Sequence, residues 1–294
     1  MSGLGRCVVA GGEGAVGRMV AGLLADGGGT VVTVDPRART PALRGDVTDP
    51  DRRLLDELAV ADVVVLAVPE PVALAALPVL VRSLRPGALL VDTLSVKGPY
   101  VAAARRAGAG SAGIEVLGLN PMFAPSLPLR GRPVAAVAVF DGPRARRLRE
   151  LLARAGGRVV PMSAAEHDRL AAATQALTHA AVLAFGLALA ELDVDIDRLA
   201  EIAPPPHVTM LGLLARITAG TPDVYWDVQA ANAYAGSARS ALARSARELA
   251  ELFAHPRAEK EFTELLGRLR ELLGPQAQHH SALCARMFVA LAEA

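Results

Sequence analysis

The sequence predicts an α/β domain built on a doubly wound parallel sheet, followed by an all-α domain. In the first half, short apolar runs alternate with helical stretches, and a glycine-rich segment joins the first run to the first helix. The second half carries helical patterns without strand signals. Such alternation is typical of doubly wound domains, in which helices cover both faces of the sheet. We therefore expect the α/β domain over residues 1–164 and the helical domain over residues 165–294.

The predicted strands are short runs that are apolar almost throughout. Continuous hydrophobicity of this kind indicates burial on both faces, as in a parallel sheet covered by helices. The strand candidates are Cys7–Ala10, Thr30–Val34, Asp62–Ala67, Ala88–Asp92, Val116–Leu119, Val134–Val139 and Arg158–Pro161. The helical stretches between them are Val16–Ala25, Arg52–Leu58, Val72–Leu84 and Arg144–Ala155.

The second half begins with a long, alanine-rich helical run, Glu166–Leu192, and then breaks at three consecutive prolines, Pro204–Pro206, which cannot donate helix hydrogen bonds. Helical patterns resume at His207–Ala219, Val224–Leu252, Arg257–Leu273 and Ala277–Ala292. The segment Ala171–Ala190 has too few polar positions for a solvated face, which indicates a core or a subunit interface. We expect a homodimer built on this half.

Charged residues nearly balance, with 31 Lys and Arg against 30 Asp and Glu in 294 residues and a net charge of +1. This balance leaves no basic field to hold nucleic acid. Cys7 and Cys284 lie near opposite chain ends, so we expect neither a disulfide framework nor a metal site. Pro and charged residues interrupt the most apolar stretch, Val60–Val81, and the first residues do not resemble a signal peptide. The prediction is a cytoplasmic protein that associates with no membrane.

The glycine-rich segment contains G-x-G-x-x-G as Gly12, Gly14 and Gly17, directly after a strand and at the start of a helix. In a dinucleotide-binding turn, these glycines allow a tight bend, a close approach of backbone to a pyrophosphate, and packing of helix on strand. Asp35 ends the second strand, 18 positions after Gly17, where a carboxylate binds an adenosine ribose and repels a 2′-phosphate. The pattern predicts a Rossmann-type domain that binds NAD.

Two observations leave alternatives open at this motif. A lone glycine pattern of this kind also occurs in purely structural turns. Arg37 and Arg39 follow Asp35 closely and would suit the 2′-phosphate of NADP.

Further candidate residues follow the later strands. Asp92–Lys97 comes after the fourth strand, where ligands of open α/β sheets bind. We expect Thr93 to contact the cofactor and Ser95 to reach nicotinamide or substrate, although serine serves equally well as a helix N-cap. Gln175 and His179 are spaced i, i+4 on the long helix and share a face. A histidine in so apolar a helix is either a hydrogen-bonded core residue or a catalytic one.

Together these segments resemble the prephenate/arogenate dehydrogenase family. The resemblance is carried, in order and spacing, by Gly12–Gly17, Asp92–Lys97, Asn120–Pro125, Glu166–His179 and Tyr225–Gln229. Membership implies an NAD-dependent oxidative decarboxylation of a cyclohexadienyl small-molecule substrate. A hydride leaves ring C4, CO₂ leaves C1, and the ring becomes aromatic. Ser95, Asn120 and His179 would then surround C4, while Gln175 and Met122 would contact substrate.

One departure from the family concerns the substituent at C4. The usual stretch is His-Pro-Met-Phe-Gly-Pro, and Asn120 stands where that histidine binds the C4 hydroxyl. An amide cannot act as a general base near neutral pH, but its oxygen accepts a hydrogen bond from an amine. With Thr174–His179 and Ala203–His207, this variant resembles the subgroup that oxidises 4-amino-4-deoxyprephenate for p-aminophenylalanine and antibiotic biosynthesis. The other interpretation is that Asn120 only caps a turn before Pro121, with the histidine's role moved elsewhere or lost.

A second departure concerns the ring carboxylate. The family's arginine for this group aligns with Tyr234, which cannot make a bidentate charged pair. Arg239, five residues on, is a candidate replacement for substrate binding. Two other functions therefore stay open: a prephenate or arogenate dehydrogenase of tyrosine biosynthesis, and a dinucleotide-binding regulatory dimer without turnover.

Overall fold

The computed structural model describes residues 4–38, 43–254 and 258–291. Arg39, Arg257 and Ala292, which the sequence patterns above include, lie outside the described residues. The chain forms two compact units. The first contains the chain up to Ala172 together with Trp226–Ala233, and the second contains Ala173–Tyr225 and the chain from Tyr234 onward. We keep the boundary between residues 164 and 165 as a proposal for the domain division.

The first unit is built on an eight-stranded sheet. Its strands are β1 (Arg6–Ala10), β2 (Thr30–Asp35), β3 (Leu43–Arg44), β4 (Val63–Leu66), β5 (Leu89–Asp92), β6 (Glu115–Pro121), β7 (Pro133–Phe140) and β8 (Arg158–Pro161). Their order is β3-β2-β1-β4-β5-β6-β7-β8. β2 and β3 are added on one side of β1 and the later strands on the other, so the strand order switches between the neighbouring strands β1 and β4. All seven predicted runs form strands, and the predicted α/β fold class is confirmed. The two-residue strand β3 was not predicted because it is too short to show a pattern.

One pair of strands departs from the predicted parallel sheet. β7 runs antiparallel to β6, with Asn120 opposite Ala135, whereas the other neighbouring pairs are parallel. The connection between β6 and β7 contains no helix within the described residues. Parallel neighbours need a crossover of a dozen or more residues, usually a helix, so this shorter link returns the chain antiparallel. The predicted parallel sheet is therefore confirmed apart from this one antiparallel pair.

Helices cover both faces of the sheet. They are α1 (Ala15–Asp26), α2 (Arg52–Val60), α3 (Glu70–Ser83), α4 (Gly98–Arg106), α5 (Pro143–Arg154) and α6 (Ala164–Ala171). Leucines of α2 and α3 pack with Val8 and Ala10 of β1 in one core, while Leu24 of α1 and Leu148 of α5 pack with Val9 in the other. Successive residues of a strand point to opposite faces, so a continuous apolar run supplies both cores.

The remaining chain is helical. The helices are α7 (Leu177–Glu191), α8 (Ile196–Ile202), α9 (Pro205–Thr218), α10 (Pro222–Ala230), α11 (Ala235–Leu252), α12 (Ala258–Leu273) and α13 (Ala277–Leu291). The predicted helix 224–252 is wrong as a single element, since α10 ends at Ala230 and α11 begins at Ala235. A π-helical turn, Ala172–Ala176, interrupts the predicted run between α6 and α7. Of the three prolines, Pro205 and Pro206 open α9, where a missing N–H costs nothing.

The continuous helical stretch Ala164–Glu191 is long and apolar enough to cross a membrane by length and composition alone. In the isolated chain, 22% of its most apolar part is buried. Among the described residues no other helix meets this criterion. The core helix of a soluble protein meets the same criterion, so length and composition alone do not make this stretch a membrane span.

Candidate active site

The glycine turn after β1 is packed so tightly that side chains cannot enter it. Gly11 has φ +77°, and a Cβ there would lie 2.1 Å from the carbonyl oxygen of Ala67. A Cβ on Gly17 would lie 2.1 Å from the carbonyl oxygen of Gly11, and one on Gly12 would lie 2.5 Å from Thr33 Cβ. Contacts under 3.0 Å with backbone cannot be relieved by a side-chain movement. The turn therefore requires glycine on steric grounds.

This turn also leaves the amino-terminal end of α1 available to an anion. Gly14 is the N-cap residue and provides no side-chain hydrogen bond, and the first turn contains no acidic residue. The first N–H groups of a helix have no partner within the helix, and the helix dipole favours negative charge there. A phosphate can approach closely because Gly14 has no Cβ.

Asp35 is placed beside this turn by the backbone. The N–H groups of Gly11 and Gly12 both donate to the carbonyl oxygen of Val34, at 2.8 and 3.2 Å, which ties the turn to the end of β2. Asp35 is buried, and its Oδ1 accepts the N–H of Arg37 at 2.9 Å. Turn, helix end and carboxylate thus form a cradle of the kind that holds the pyrophosphate and ribose of a dinucleotide.

The segment after β5 places Thr93 and Ser95 at the carboxyl edge of the sheet. The Thr93 N–H and hydroxyl both donate to the carbonyl oxygen of Leu66, at 3.1 and 3.2 Å, so Thr93 joins the ends of β5 and β4. Ser95 is half-buried and does not cap α4, since the N-cap residue is Lys97. The N-cap interpretation of Ser95 is therefore wrong, and its hydroxyl lies in the loop before the helix.

Lys97 is the centre of a buried polar cluster that sequence reasoning missed. Its ammonium pairs with the Asp92 carboxylate, and both side chains are completely buried. Nζ also donates to the carbonyl oxygen of Leu119 at 2.8 Å, which links β5 to β6. Burial lowers the pKa of Lys97 and raises that of Asp92, with each partner opposing the change in the other. The spacing of Asp92 and Lys97 gave no signal, because lysine in a loop is normally exposed.

Asp168 also belongs to this buried cluster, and sequence reasoning did not identify it as a functional residue. Its carboxylate accepts the backbone N–H groups of Lys97 and Gly98, at 2.7 and 2.8 Å, and so caps the amino-terminal end of α4. Burial would raise the pKa of Asp168, but hydrogen bonds from His167 and from these two N–H groups hold it below its usual value. Asn232 Nδ2 donates to the Asp168 carbonyl oxygen at 2.8 Å. Asp168 is therefore an anion held by donors on several sides.

Asn120 lies in β6 one residue before the strand ends, and it is 3% exposed. Its Nδ2 is 3.1 Å from His167 Nε2, and His167 Nδ1 is 2.8 Å from Asp168 Oδ1. The turn interpretation of Asn120 is wrong, since its backbone pairs with Ala135 in the sheet and its side chain joins this buried chain of groups. Met122, half-buried in the loop that follows, is held by its N–H donating to Pro133 O at 3.0 Å.

Glu70 begins α3 next to the same cluster. It is buried, and within the described residues its Oε2 has no hydrogen-bond partner. Burial, together with the charges of Asp227, Asp168 and Asp92, raises the pKa of Glu70 to about 7. An orphaned buried carboxyl oxygen is costly unless a proton, a water molecule or a ligand satisfies it.

The second unit contains the other predicted residues. Gln175 lies in the π-helical turn and His179 in α7. Among the residues that the structure describes, neither of the buried atoms Gln175 Oε1 and His179 Nδ1 has a hydrogen-bond partner. The His179 ring packs edge-on against Tyr225, with centroids 5.0 Å apart. Burial and the nearby Arg216 charge lower the pKa of His179, which favours a neutral imidazole. Tyr234 and Arg239, at the start of α11, are exposed.

Residues 163–268 match the family model described as prephenate dehydrogenase, dimerization domain. The chain is 53% identical over 293 residues to a 4-amino-4-deoxyprephenate dehydrogenase of Streptomyces pristinaespiralis, an alignment that covers 98% of this chain and 97% of that protein. It is also 34% identical over 233 residues to a T-protein of Enterobacter agglomerans, covering 75% of this chain and 55% of that protein. The first likeness extends over nearly the whole of both chains.

Solved structures share the fold. The crystal structure of prephenate dehydrogenase from A. aeolicus in complex with hydroxyphenyl propionate and NAD+ superposes with a TM-score of 0.73 at 20% identity, covering 92% of this chain and 97% of that one. Synechocystis arogenate dehydrogenase superposes with a TM-score of 0.66 at 19% identity, covering 94% and 99%. At these identities the superpositions establish a common architecture.

Proposed function

This chain belongs to the prephenate dehydrogenase family, and we propose that it catalyses the NAD-dependent oxidative decarboxylation of 4-amino-4-deoxyprephenate. The products are 4-aminophenylpyruvate, CO₂ and NADH, and the pathway leads to p-aminophenylalanine and antibiotics. The observation that carries the proposal is the buried amide of Asn120 at the end of β6, where the family has an imidazole. The likeness to the Streptomyces relative over 98% of the chain supports the same substrate.

The cofactor fits the residues present around the glycine turn. Gly12, Gly14 and Gly17 leave room for a pyrophosphate at the uncapped end of α1, and Asp35 would bind the adenosine ribose. The Asp35 carboxylate favours NAD over NADP because it repels a 2′-phosphate. When bound, NAD supplies the oxidant, which accepts the hydride from C4. Thr93, at the neighbouring strand end, is proposed to line the cofactor site.

The chemistry of an amine at C4 explains why an amide suffices here. As the hydride leaves, the nitrogen lone pair shares its electrons with C4 to form an iminium ion. Loss of CO₂ from C1 returns an electron pair to the ring, which becomes aromatic and leaves a neutral aniline nitrogen. The amine reacts in its neutral form, after any ammonium proton has passed to solvent before the hydride leaves. From that form charge balances without a net proton transfer in the chemical step, and nitrogen supports the developing positive charge better than oxygen does. A general base at position 120 is therefore less necessary.

The remaining roles concern binding and orientation. We assign Ser95 to the surroundings of C4. His179 is assigned there too, as a neutral imidazole whose unpartnered Nδ1 could form a hydrogen bond with the substrate. Gln175 has a similarly orphaned oxygen and is assigned to the pyruvyl side chain or the cofactor carboxamide. Met122 is assigned to apolar contact with the ring. Tyr234 and Arg239 are the candidates for the ring carboxylate, and alignment of substrate with cofactor is the protein's main contribution to rate.

We also propose a cytoplasmic homodimer formed through the helical unit. The matched family model describes a dimerisation domain. Large apolar side chains of this unit, among them Leu187, Ile202 and Leu272, are 70%, 80% and 81% exposed in the isolated chain. Exposure of this kind marks an interaction surface, and a second copy would cover it along with the apolar helix around α7.

The substrate assignment is tested by NADH formation with purified protein and NAD. We expect faster turnover with 4-amino-4-deoxyprephenate than with prephenate or arogenate. Asn120→His should shift relative turnover toward prephenate because an imidazole can accept the hydroxyl proton. Asn120→Ala is the matched control, since it removes the amide without adding a base and should gain nothing on prephenate. A wild-type preference for prephenate would reject the proposed substrate, and NAD binding without turnover would favour the regulatory dimer.

A further inference from the structure

We propose that His167 is a positioning residue which fixes the Asn120 amide with its oxygen toward the substrate amine. The inference rests on the proposed function and adds a residue that determines how the site presents a hydrogen-bond acceptor. It is carried by the chain of contacts from Asp168 through His167 to Asn120, all within the first unit.

Asp168 determines which atoms donate and which accept in this series of hydrogen bonds. Its carboxylate receives three donors, the N–H groups of Lys97 and Gly98 and the Nδ1 of His167, at 2.7, 2.8 and 2.8 Å. An ionised carboxylate only accepts hydrogen bonds, and these donors stabilise the ionised form. The proton between Asp168 and His167 therefore belongs to His167 Nδ1.

The tautomer then determines how the amide lies. In a neutral imidazole protonated at Nδ1, Nε2 carries a lone pair and accepts a hydrogen bond. The group 3.1 Å from His167 Nε2 is the Asn120 amide nitrogen, which donates to it. A flipped amide would place two acceptors against each other. His167 and Asn120 are 2% and 3% exposed, so water could not relieve that repulsion.

The fixed amide has a consequence for chemistry at C4. With Nδ2 engaged, the Asn120 oxygen is the atom available to a bound molecule at the carboxyl edge of the sheet. Accepting one N–H of the C4 amine leaves the nitrogen lone pair free to support hydride loss. A flipped amide would donate to that single lone pair and withdraw the electrons that the reaction needs. A hydroxyl oxygen has two lone pairs and is less sensitive to the flip.

A direct test needs no substrate. In protein labelled with ¹⁵N-histidine, long-range ¹H–¹⁵N correlation spectra distinguish the two neutral tautomers of each of the six histidines. His167 is assigned by the loss of its signals in His167→Gln, or by elimination with variants of the other five. We expect the Nδ1–H tautomer at neutral pH. The Nε2–H tautomer or a doubly protonated ring would overturn the inference, whatever the substrate proves to be.

A kinetic test uses two variants of the same position. His167→Gln keeps an oxygen within reach of Asn120 Nδ2, whereas His167→Phe keeps the ring shape and removes both nitrogens. For His167→Phe we expect kcat on the amino substrate to fall about tenfold, because one orienting hydrogen bond is removed. The fall in kcat on prephenate should be smaller. His167→Gln should recover most of that activity. Equal losses on both substrates would indicate a merely structural role and contradict the inference.

These two tests separate the inference from the proposed function. An enzyme that prefers prephenate, but whose His167 is the Nδ1–H tautomer, would reject the proposed substrate and retain the orientation of the amide. An enzyme that prefers the amino substrate, but whose His167 has the other tautomer, would reject the positioning role alone. Fluorescence titration of NAD binding to each variant confirms that the first unit is folded.

Discussion

Lys97 and Asp92 form an ion pair whose side chains are both completely buried beneath the carboxyl edge of the sheet. The Lys97 ammonium also donates to the carbonyl oxygen of Leu119, so a single cation joins the ends of β5 and β6. Asn120 follows Leu119 directly. The strand end that carries the proposed substrate contact is therefore held by a buried charge.

Replacing Lys97 by Met should destabilise the protein strongly. The change leaves the Asp92 carboxylate buried without its partner, which costs about 3–5 kcal/mol of unfolding free energy. Denaturant titration measures the loss, and Lys260→Met is the matched control. Lys260 pairs with Glu264 at 3.7 Å with side chains 79% and 56% exposed, so its removal should cost less than about 1 kcal/mol. A similar loss in both variants would contradict the importance of burial.

Glu70 should make stability fall as pH rises. Its pKa is raised from 4.5 to about 7 on folding, so the folded protein holds a proton that the unfolded chain releases between these values. The resulting loss of unfolding free energy is absent below pH 4.5 and complete above about pH 7. Glu70→Gln should therefore gain stability relative to the wild type between pH 5 and pH 8, as measured by unfolding at both pH values. Glu150→Gln is the control, since that side chain is 65% exposed and its substitution should show no such trend.

Gly17→Ala should disrupt the dinucleotide turn. Its Cβ would lie 2.1 Å from the Gly11 carbonyl oxygen, a contact that only movement of backbone can relieve. We expect loss of NAD binding in fluorescence titration together with reduced thermal stability. Gly22→Ala, in the same helix, meets nothing within 4 Å and should be neutral or stabilising by up to about 1 kcal/mol. Undiminished NAD affinity in Gly17→Ala would show that the turn tolerates a side chain.

Asp35→Ser should change the preference between cofactors. It removes the carboxylate that would bind the ribose and repel a 2′-phosphate, while Arg37 stays nearby. We expect the ratio of kcat/KM for NAD to that for NADP to fall by about tenfold or more, the equivalent of one charged hydrogen bond. Arg37→Ala is the companion variant and should leave the use of NAD intact. An unchanged ratio in Asp35→Ser would remove Asp35 from the proposed cofactor site.

Sequence periodicity located the strands of the first unit well, because burial on both faces requires an unbroken apolar run. It could not reveal that β7 runs antiparallel to β6, since the same apolar pattern suits either direction. Nor did it show the break between α10 and α11, where Ala231–Tyr234 contain no proline or glycine to mark it. The directions of strands and the ends of helices depend on how neighbouring elements meet.

The sequence by itself determined the glycine turn and the acidic end of β2, because each follows from residue type and local spacing. The replacement of a histidine by Asn120 was visible only through the resemblance to the prephenate dehydrogenase family. Only the tertiary structure brought Asp92, Lys97, Asn120, His167 and Asp168 into contact. These residues come from two strand ends, a loop and a helix, and the first and last of them are 76 positions apart along the chain. Sequence spacing cannot show such contacts, because side-chain hydrogen bonds depend on distance in space. The orientation of one amide is thus decided by a carboxylate 48 residues away.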